Sequence, residues 1–220
     1  MNWPRHMRLS LSLVAERRVL LMAIVDAGFL FAGLLMAFGG TGRASEFYPS
    51  LFLFPSLLLG IPMLSECVAL ERRAGTLDLA LTSPGARFYF ERRALAVVTL
   101  MIAQGMLAVI AAYFLVEPFP IFPALVQVAV ASVFIGAVAL QWAVRLNTSG
   151  AVIFATVVTC LLFVPWLFSN PIYPPARTGH PLNGDEIANL IKTNLVLAGA
   201  AAIFYLYALQ RLMKPEAIIS

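Results

Sequence analysis

The most constraining feature of this chain is a series of apolar runs that are each close to 20 residues long. The runs lie at about residues 19–38, 48–70, 94–116, 122–144, 150–168 and 187–210. A helix of roughly 20 apolar residues can cross the hydrocarbon core of a bilayer, where backbone polar groups must be bonded internally. The sequence therefore predicts an all-α integral membrane fold, in which residues 1–220 form a single domain of six transmembrane helices.

The composition is typical of a membrane protein. The chain is 61% hydrophobic and 12% charged, whereas soluble domains are about half apolar and a quarter charged. The net charge of +4 is confined to short segments between the runs, so we expect the lipid bilayer and not nucleic acid as a partner. The first run lacks the small-residue cleavage site of a signal peptide and is interpreted as a retained span.

The distribution of lysine and arginine predicts the orientation of the spans. If the N-terminus is cytoplasmic, only Arg43, Arg177 and Lys192 of the 15 basic residues fall on the outer side. An excess of basic residues in short loops marks the cytoplasmic side. We therefore expect a multi-pass protein of a bacterial-type inner membrane, with both termini and residues 71–84 in the cytoplasm.

The segment before the first span has an amphipathic pattern. Met7, Leu11 and Val14 share one helical face, and Arg8 and Arg17 add charge nearby. This pattern predicts an N-terminal helix that lies in the cytoplasmic interface. The alternative is that the segment extends the first span outward.

Residues 71–84, "ERRAGTLDLALTSP", separate the second and third spans. Charged side chains at Glu71, Arg72 and Arg73 end the second span, and Gly75 allows the helix to break at low cost. A new helix can then begin, since Thr76 is a good N-cap residue.

The same segment has the features of a short surface helix over about residues 76–83. Asp78 lies in its first turn, where a carboxylate complements the helix dipole. Leu77 and Leu81 are spaced to lie on one face, and Pro84 ends the helix after Ser83. A helix of two turns is marginal in water, so we expect it to pack on another surface.

Together with "FERRALA" at residues 90–96, this segment resembles the cytoplasmic loop of the permease subunits of type-2 ABC exporters. In that family the loop is a coupling helix that docks into a groove of the ATPase subunit. Asp78 departs from the family pattern, in which glutamate is commoner at that position. The matching residues are Glu71, Arg72, Gly75, Thr76, Leu77, Asp78, Leu79, Leu81, Thr82, Ser83 and Pro84.

The resemblance implies a transport subunit and not an enzyme. It implies that the chain forms the substrate pathway with a second permease, identical or related, and works with two ATPase subunits. A P-loop needs a lysine after glycine, and neither Lys192 nor Lys214 follows one. We therefore expect ATP and Mg to bind the partner ATPase, with no cofactor on this chain.

Other functions remain open at this stage. The haem exporter B subunit of cytochrome c maturation has a similar layout, and co-purifying haem would distinguish it. A membrane-embedded enzyme would need polar residues that converge from several spans. A passive channel would need no ATPase. His6 and His180 fall on opposite predicted sides of the membrane, so no metal site is expected. No catalytic residue is expected either, and the sequence does not identify the cargo.

Four residues inside the spans are candidates for a cavity or gate. Asp26 and Glu66 are acids in the cytoplasmic halves of their spans, where they could line a cavity open to the cytoplasm. Alternatively, Glu66 pairs with an arginine at the interface and Asp26 is hydrogen-bonded within the bundle. Pro62 and Pro165 interrupt the second and fifth spans, either as hinges or as fixed bends. The run at 197–202 predicts close helix packing.

An Asp26→Asn variant tests the cavity role of this acid. If Asp26 lines the pathway, removing its charge is expected to lower the transport rate while the fold stays intact. Transport is measured in vesicles, and thermal unfolding is the control for folding. An unchanged rate in a folded variant would contradict the cavity role.

Overall fold

A computed structural model describes the middle and the C-terminal part of the chain. Its described residues are 24, 25, 27, 28, 31, 32, 35, 54–73, 86–115, 118–167, 169 and 184–212. The regular structure of these residues is entirely helical, with no strand among them. The all-α prediction is therefore confirmed for this part of the chain. The predicted interfacial helix lies outside it.

Six helices follow one another along the described segments. They are α1 (Phe54–Arg73), α2 (Ala86–Leu115), α3 (Ile121–Ala143), α4 (Ser149–Leu162), α5 (Val164–Leu167) and α6 (Gly184–Leu212). Helix α1 falls in the predicted second span and α2 in the third. Helix α3 corresponds to the fourth span, α4 with α5 to the fifth, and α6 to the sixth.

Three of these helices are long and apolar enough to cross a membrane. They cover Phe88–Leu115 of α2, all of α3 and all of α6. The apolar parts of α1 and α4 are shorter, at Gly60–Ala69 and Ser149–Leu162. The helices indicate a membrane-embedded protein, and the complete six-span arrangement stays a prediction.

Helix α3 is the centre of the described bundle. It packs against α1, α2, α4 and α6, and 56% of its apolar window is buried, compared with 17% for α6. The sequence of α3 has no charged residue and is rich in alanine, with Ser132 and Gly136 also present. Small side chains let neighbouring backbones approach, which is how helices associate in lipid.

Polar side chains join α3 to the helices that follow it. The indole Nε1 of Trp142 donates to Thr159 Oγ1 at 3.0 Å, and Thr159 Oγ1 donates to the Ala155 carbonyl at 2.7 Å. Gln127 Nε2 donates to the Trp166 carbonyl at 3.0 Å. The link to Trp166 holds α5 against the opposite half of α3.

A short turn separates α3 from α4. Helix α3 ends at Ala143, and α4 begins at Ser149 with Thr148 as its N-cap. The Thr148 hydroxyl accepts from the Ala151 N–H at 3.3 Å, which is the usual way to satisfy a free amide at a helix start. Helices α3 and α4 therefore form a tight hairpin.

The two candidate prolines have different local effects. Pro62 lies inside the continuous helix α1, and its carbonyl accepts from Ser65 Oγ at 2.7 Å. The predicted fifth span is divided at Phe163, two residues before Pro165. Proline at 165 has no N–H and crowds the carbonyl four residues earlier, so α4 ends and α5 starts anew.

The alanine-rich run at residues 197–202 of α6 divides between two surroundings. Leu197 and Ala201 are buried, whereas Ala198, Gly199 and Ala202 are exposed. The predicted close packing is therefore found on one side of the run only. The periodicity of the helix turns the other side away from α3.

Helices α2 and α3 are in close contact where Val98 meets Gly136. A Cβ atom on Gly136 would overlap Val98 Cγ2, and both residues are buried. Valine is branched at Cβ and has few rotamers to escape into. The absence of a side chain at 136 therefore sets the distance between these two helices.

A Gly136→Ala substitution tests this contact. Overpacking of this kind costs about 1–3 kcal/mol, so we expect a lower thermal unfolding temperature in detergent. Adding Val98→Ala should recover most of the loss. Gly199→Ala is the matched control, since nothing lies within 4 Å of a Cβ there. Equal stability of the two alanine variants would contradict the close contact.

Candidate functional site

The helices on either side of the motif segment are held together at their adjoining ends. Arg93, in the second turn of α2, donates from Nη1 to the carbonyl of Cys67 in α1 at 3.4 Å. Both Cys67 and Arg93 are buried. This bond joins α1 and α2 close to residues 74–85. We call it the loop base.

Arg93 is also fixed from within its own helix. Its guanidinium Cζ lies 4.9 Å from the centroid of the Tyr89 ring, an arrangement in which a cation is attracted to the face of the ring. The Tyr89 ring meets Phe90 edge to face at 5.3 Å between centroids. A planar guanidinium can stack and donate at once, which the ammonium of lysine cannot.

The loop base determines where the motif segment starts and returns. Helix α1 continues for six residues beyond Cys67 to Arg73, and helix α2 begins seven residues before Arg93. At 1.5 Å per residue these extensions are roughly 9 and 10 Å long. Residues 74–85 must therefore connect two helix ends of similar height. Glu71 and Arg72 lie in the last turn of α1, and Gly75–Pro84 lie outside the described residues.

The opposite face of α2 forms a groove with α3 and α6. The cavity has a volume of about 690 Å³, within the range of about 300–1,000 Å³ found for small-molecule sites. Its surface is almost entirely apolar and includes many small residues. Those residues are Ala94, Ala129, Gly136, Ala137, Ala198, Ala201 and Ala202.

The groove has one charged end. Glu91 and Arg92 line it, and both are half-buried. Val98 and Gly136 mark its middle, so the charged pair lies about 10 Å further along α2, toward the N-terminus of that helix. Glu91 and Arg92 therefore lie beside the loop base, on a different face of the same two turns of α2.

The other candidate residues do not join this groove. Glu66 is half-buried in α1 and makes a polar interaction of its own. Pro62 also lies in α1, and Pro165 is exposed in α5. Neither α1 nor α5 lines the groove. None of these three residues therefore lines the groove, and Asp26 lies outside the described part of the chain.

Polar atoms inside the described bundle are spread along α3. The side-chain oxygens of Gln127, Ser132 and Gln141 are buried without a hydrogen-bond partner, at heights of roughly 7 and 14 Å from one to the next. No group of three histidine, cysteine or acidic residues lies together within the described segments. Cys67 and Cys160 are buried free thiols.

Sequence reasoning missed the separate roles of the neighbouring residues 91–93. The signal is present in the spacing, because Phe88, Glu91, Arg92 and Leu95 recur at three and four residues on one face of α2. Arg93 falls between such positions and therefore points to α1. The pattern becomes visible only when the helix starts at Ala86, because a third span that begins at residue 94 leaves residues 88–92 outside the helix.

The described fold and site together define an all-helical, membrane-embedded protein. Its loop base joins α1 to α2, and an apolar groove lies beside this base. Comparisons of the chain with protein-family models, with curated proteins and with solved structures gave no match.

An Arg93→Met substitution tests the loop base. Methionine keeps much of the length but removes the charge and the donor, and hydrogen bonds from charged groups contribute about 1.5–3 kcal/mol. We expect the free energy of unfolding in detergent to fall by this amount, and residues 74–85 to be cleaved faster in limited proteolysis.

Arg145→Gln is the matched control for Arg93→Met. Arg145 is exposed, and its guanidinium lies 5.9 Å from the Trp142 ring centroid. Surface changes of this kind usually alter stability by less than about 0.5 kcal/mol. If Arg93→Met were as stable and as protease-resistant as this control, Arg93 would not hold the loop base.

Proposed function

We propose that this chain is the permease subunit of a type-2 ABC exporter, which couples to a separate ATPase through residues 71–84. The observation that supports it best is the position of that segment. It carries the coupling motif, and it connects two helices whose adjoining ends are bonded by Arg93 and Cys67. A segment anchored in this way can transmit force from a docked protein to the helices.

The mechanism follows from the stiffness of the anchor. A short helix that docks on an ATPase moves when the ATPase subunits change their separation. Because α1 and α2 are joined at the loop base, that movement shifts both helices together. Helix α2 packs on α3, and α3 contacts most of the described bundle, so the movement reaches the other helices by rigid-body displacement.

The nucleotide chemistry belongs to the partner in this proposal. The ATPase subunits, in two copies, bind ATP and Mg and hydrolyse ATP. This chain contributes the docking surface and, with a second permease, the pathway. The outer face of α6 is available for such a partner, since Leu195, Ile203 and Leu206 are more than half exposed.

Aspartate at Leu77 or Leu81 tests the coupling role. An acid in a docking face has to lose its hydration on binding, which is costly. We expect each variant to lower the co-purification of a P-loop ATPase chain by at least tenfold, and ATP-dependent transport to fall with it. The bound chain is identified by mass spectrometry, and its ATPase activity is measured.

Leu182→Asp is the matched control for these variants. It makes the same change in a polar segment that is predicted to lie on the opposite side of the membrane. The accessibility of single cysteines to a membrane-impermeant reagent checks that all variants insert alike. Retention of the P-loop chain and of transport in both loop variants would show that residues 71–84 do not couple.

A further inference from the structure

The groove between α2, α3 and α6 has the properties of a lipid site, because it is apolar along its length and charged at one end. The three helices that form it are those that are long enough to span a membrane among the described residues. Leu95 and Val133 line it and are 44% and 45% exposed. The groove is therefore open at the surface of the helices, where a molecule of the bilayer can enter it.

The groove is long enough for an acyl chain. Its lining residues on α2 run from Phe88 to Val98, which is roughly 15 Å along the helix axis. On α3 the lining continues past Gly136 to Ala129, roughly 10 Å further. The hydrocarbon core of a bilayer is about 30 Å thick, so an acyl chain whose headgroup lies at the charged end would reach the middle of the membrane within the groove.

The charged end complements a headgroup that carries both signs. The guanidinium of Arg92 has the fork of donors that binds phosphate oxygens. The carboxylate of Glu91 has two oxygens and can accept from an ammonium group while it keeps its existing interaction in the protein. Both residues line the same end of the groove, so a positive and a negative group are available there to one headgroup.

We propose that this groove binds a phospholipid-like amphiphile whose headgroup contains a phosphate and a primary amine. The phosphate lies against Arg92, the amine against Glu91, and one acyl chain lies along the small residues of α3 and α6. The lipid comes from the leaflet on the side of residues 71–84. That the same molecule is cargo rests on the proposed permease function, whereas binding does not and is measured on this chain alone.

The proposal is tested by native mass spectrometry of the purified chain in detergent micelles. Phosphatidylethanolamine, phosphatidylcholine and phosphatidylglycerol with identical acyl chains are added at equal mole fractions. The proposal expects several-fold more bound phosphatidylethanolamine than either of the others, because choline cannot donate to Glu91 and glycerol carries no positive charge. Equal binding of the three lipids would overturn it.

Substitutions locate the bound lipid. Arg92→Gln and Glu91→Gln change half-buried side chains at the groove end and are expected to lower phosphatidylethanolamine binding about fivefold to tenfold. Ala137→Leu fills the groove and is expected to reduce binding of all three lipids. If Ala137→Leu is unfolded, the two glutamine variants decide the result.

Two matched controls lie outside the groove. Arg145→Gln removes an exposed arginine just after α3, and Ala103→Leu enlarges an exposed alanine of α2 that does not line the groove. Both should bind lipid as the unmodified chain does. Equal losses in the controls and in the groove variants, or no loss in either glutamine variant, would overturn the proposal. Failure of ATPase coupling would leave it standing.

Discussion

Close packing around α3 is the constraint on which the rest of the described structure depends. In lipid an apolar side chain gains little by leaving its surroundings, so helices associate through van der Waals contact between well-fitted surfaces. Helix α3 meets this condition with small residues and no charge. At the contact with α2, Gly136 receives Val98 with no room for a Cβ atom. This contact lies within the lining of the groove, so it contributes to the width of the groove.

The first turns of α2 connect the two features with functional interest. Arg93 points to α1 and holds the carbonyl of Cys67, while Glu91 and Arg92 line the groove. A displacement of α2 at the loop base or at the groove therefore moves the same short stretch of helix. In the proposed exporter, this arrangement would let a molecule in the groove and an ATPase at residues 71–84 influence each other. The coupling would need no route through the centre of the bundle.

Much of the fold could be predicted from single runs of sequence, because helices in lipid form wherever about 20 apolar residues follow one another. The bounds of α3 and the turn before α4 fall within one residue of expectation. The predicted third span begins at about residue 94, after the charges of Glu91, Arg92 and Arg93, whereas helix α2 already begins at Ala86. The contacts of buried Arg93 with Tyr89 and Cys67 offset the cost of its charge in the first turns of α2. A hydropathy pattern does not contain information on such contacts. At Pro62 helix α1 continues without a break, and the choice between a hinge and a fixed bend there stays a prediction.

The sequence by itself determined the helical class, the membrane environment and the motif at residues 71–84, because each depends only on residues close together in the chain. Tertiary structure alone decided which faces meet. It placed Arg92 in the groove and Arg93 against α1. It left one side of the alanine-rich run in α6 exposed. It also formed a groove from residues of three helices. These outcomes depend on how far neighbouring helices rotate and approach, and that is set by the shapes of side chains distant in sequence.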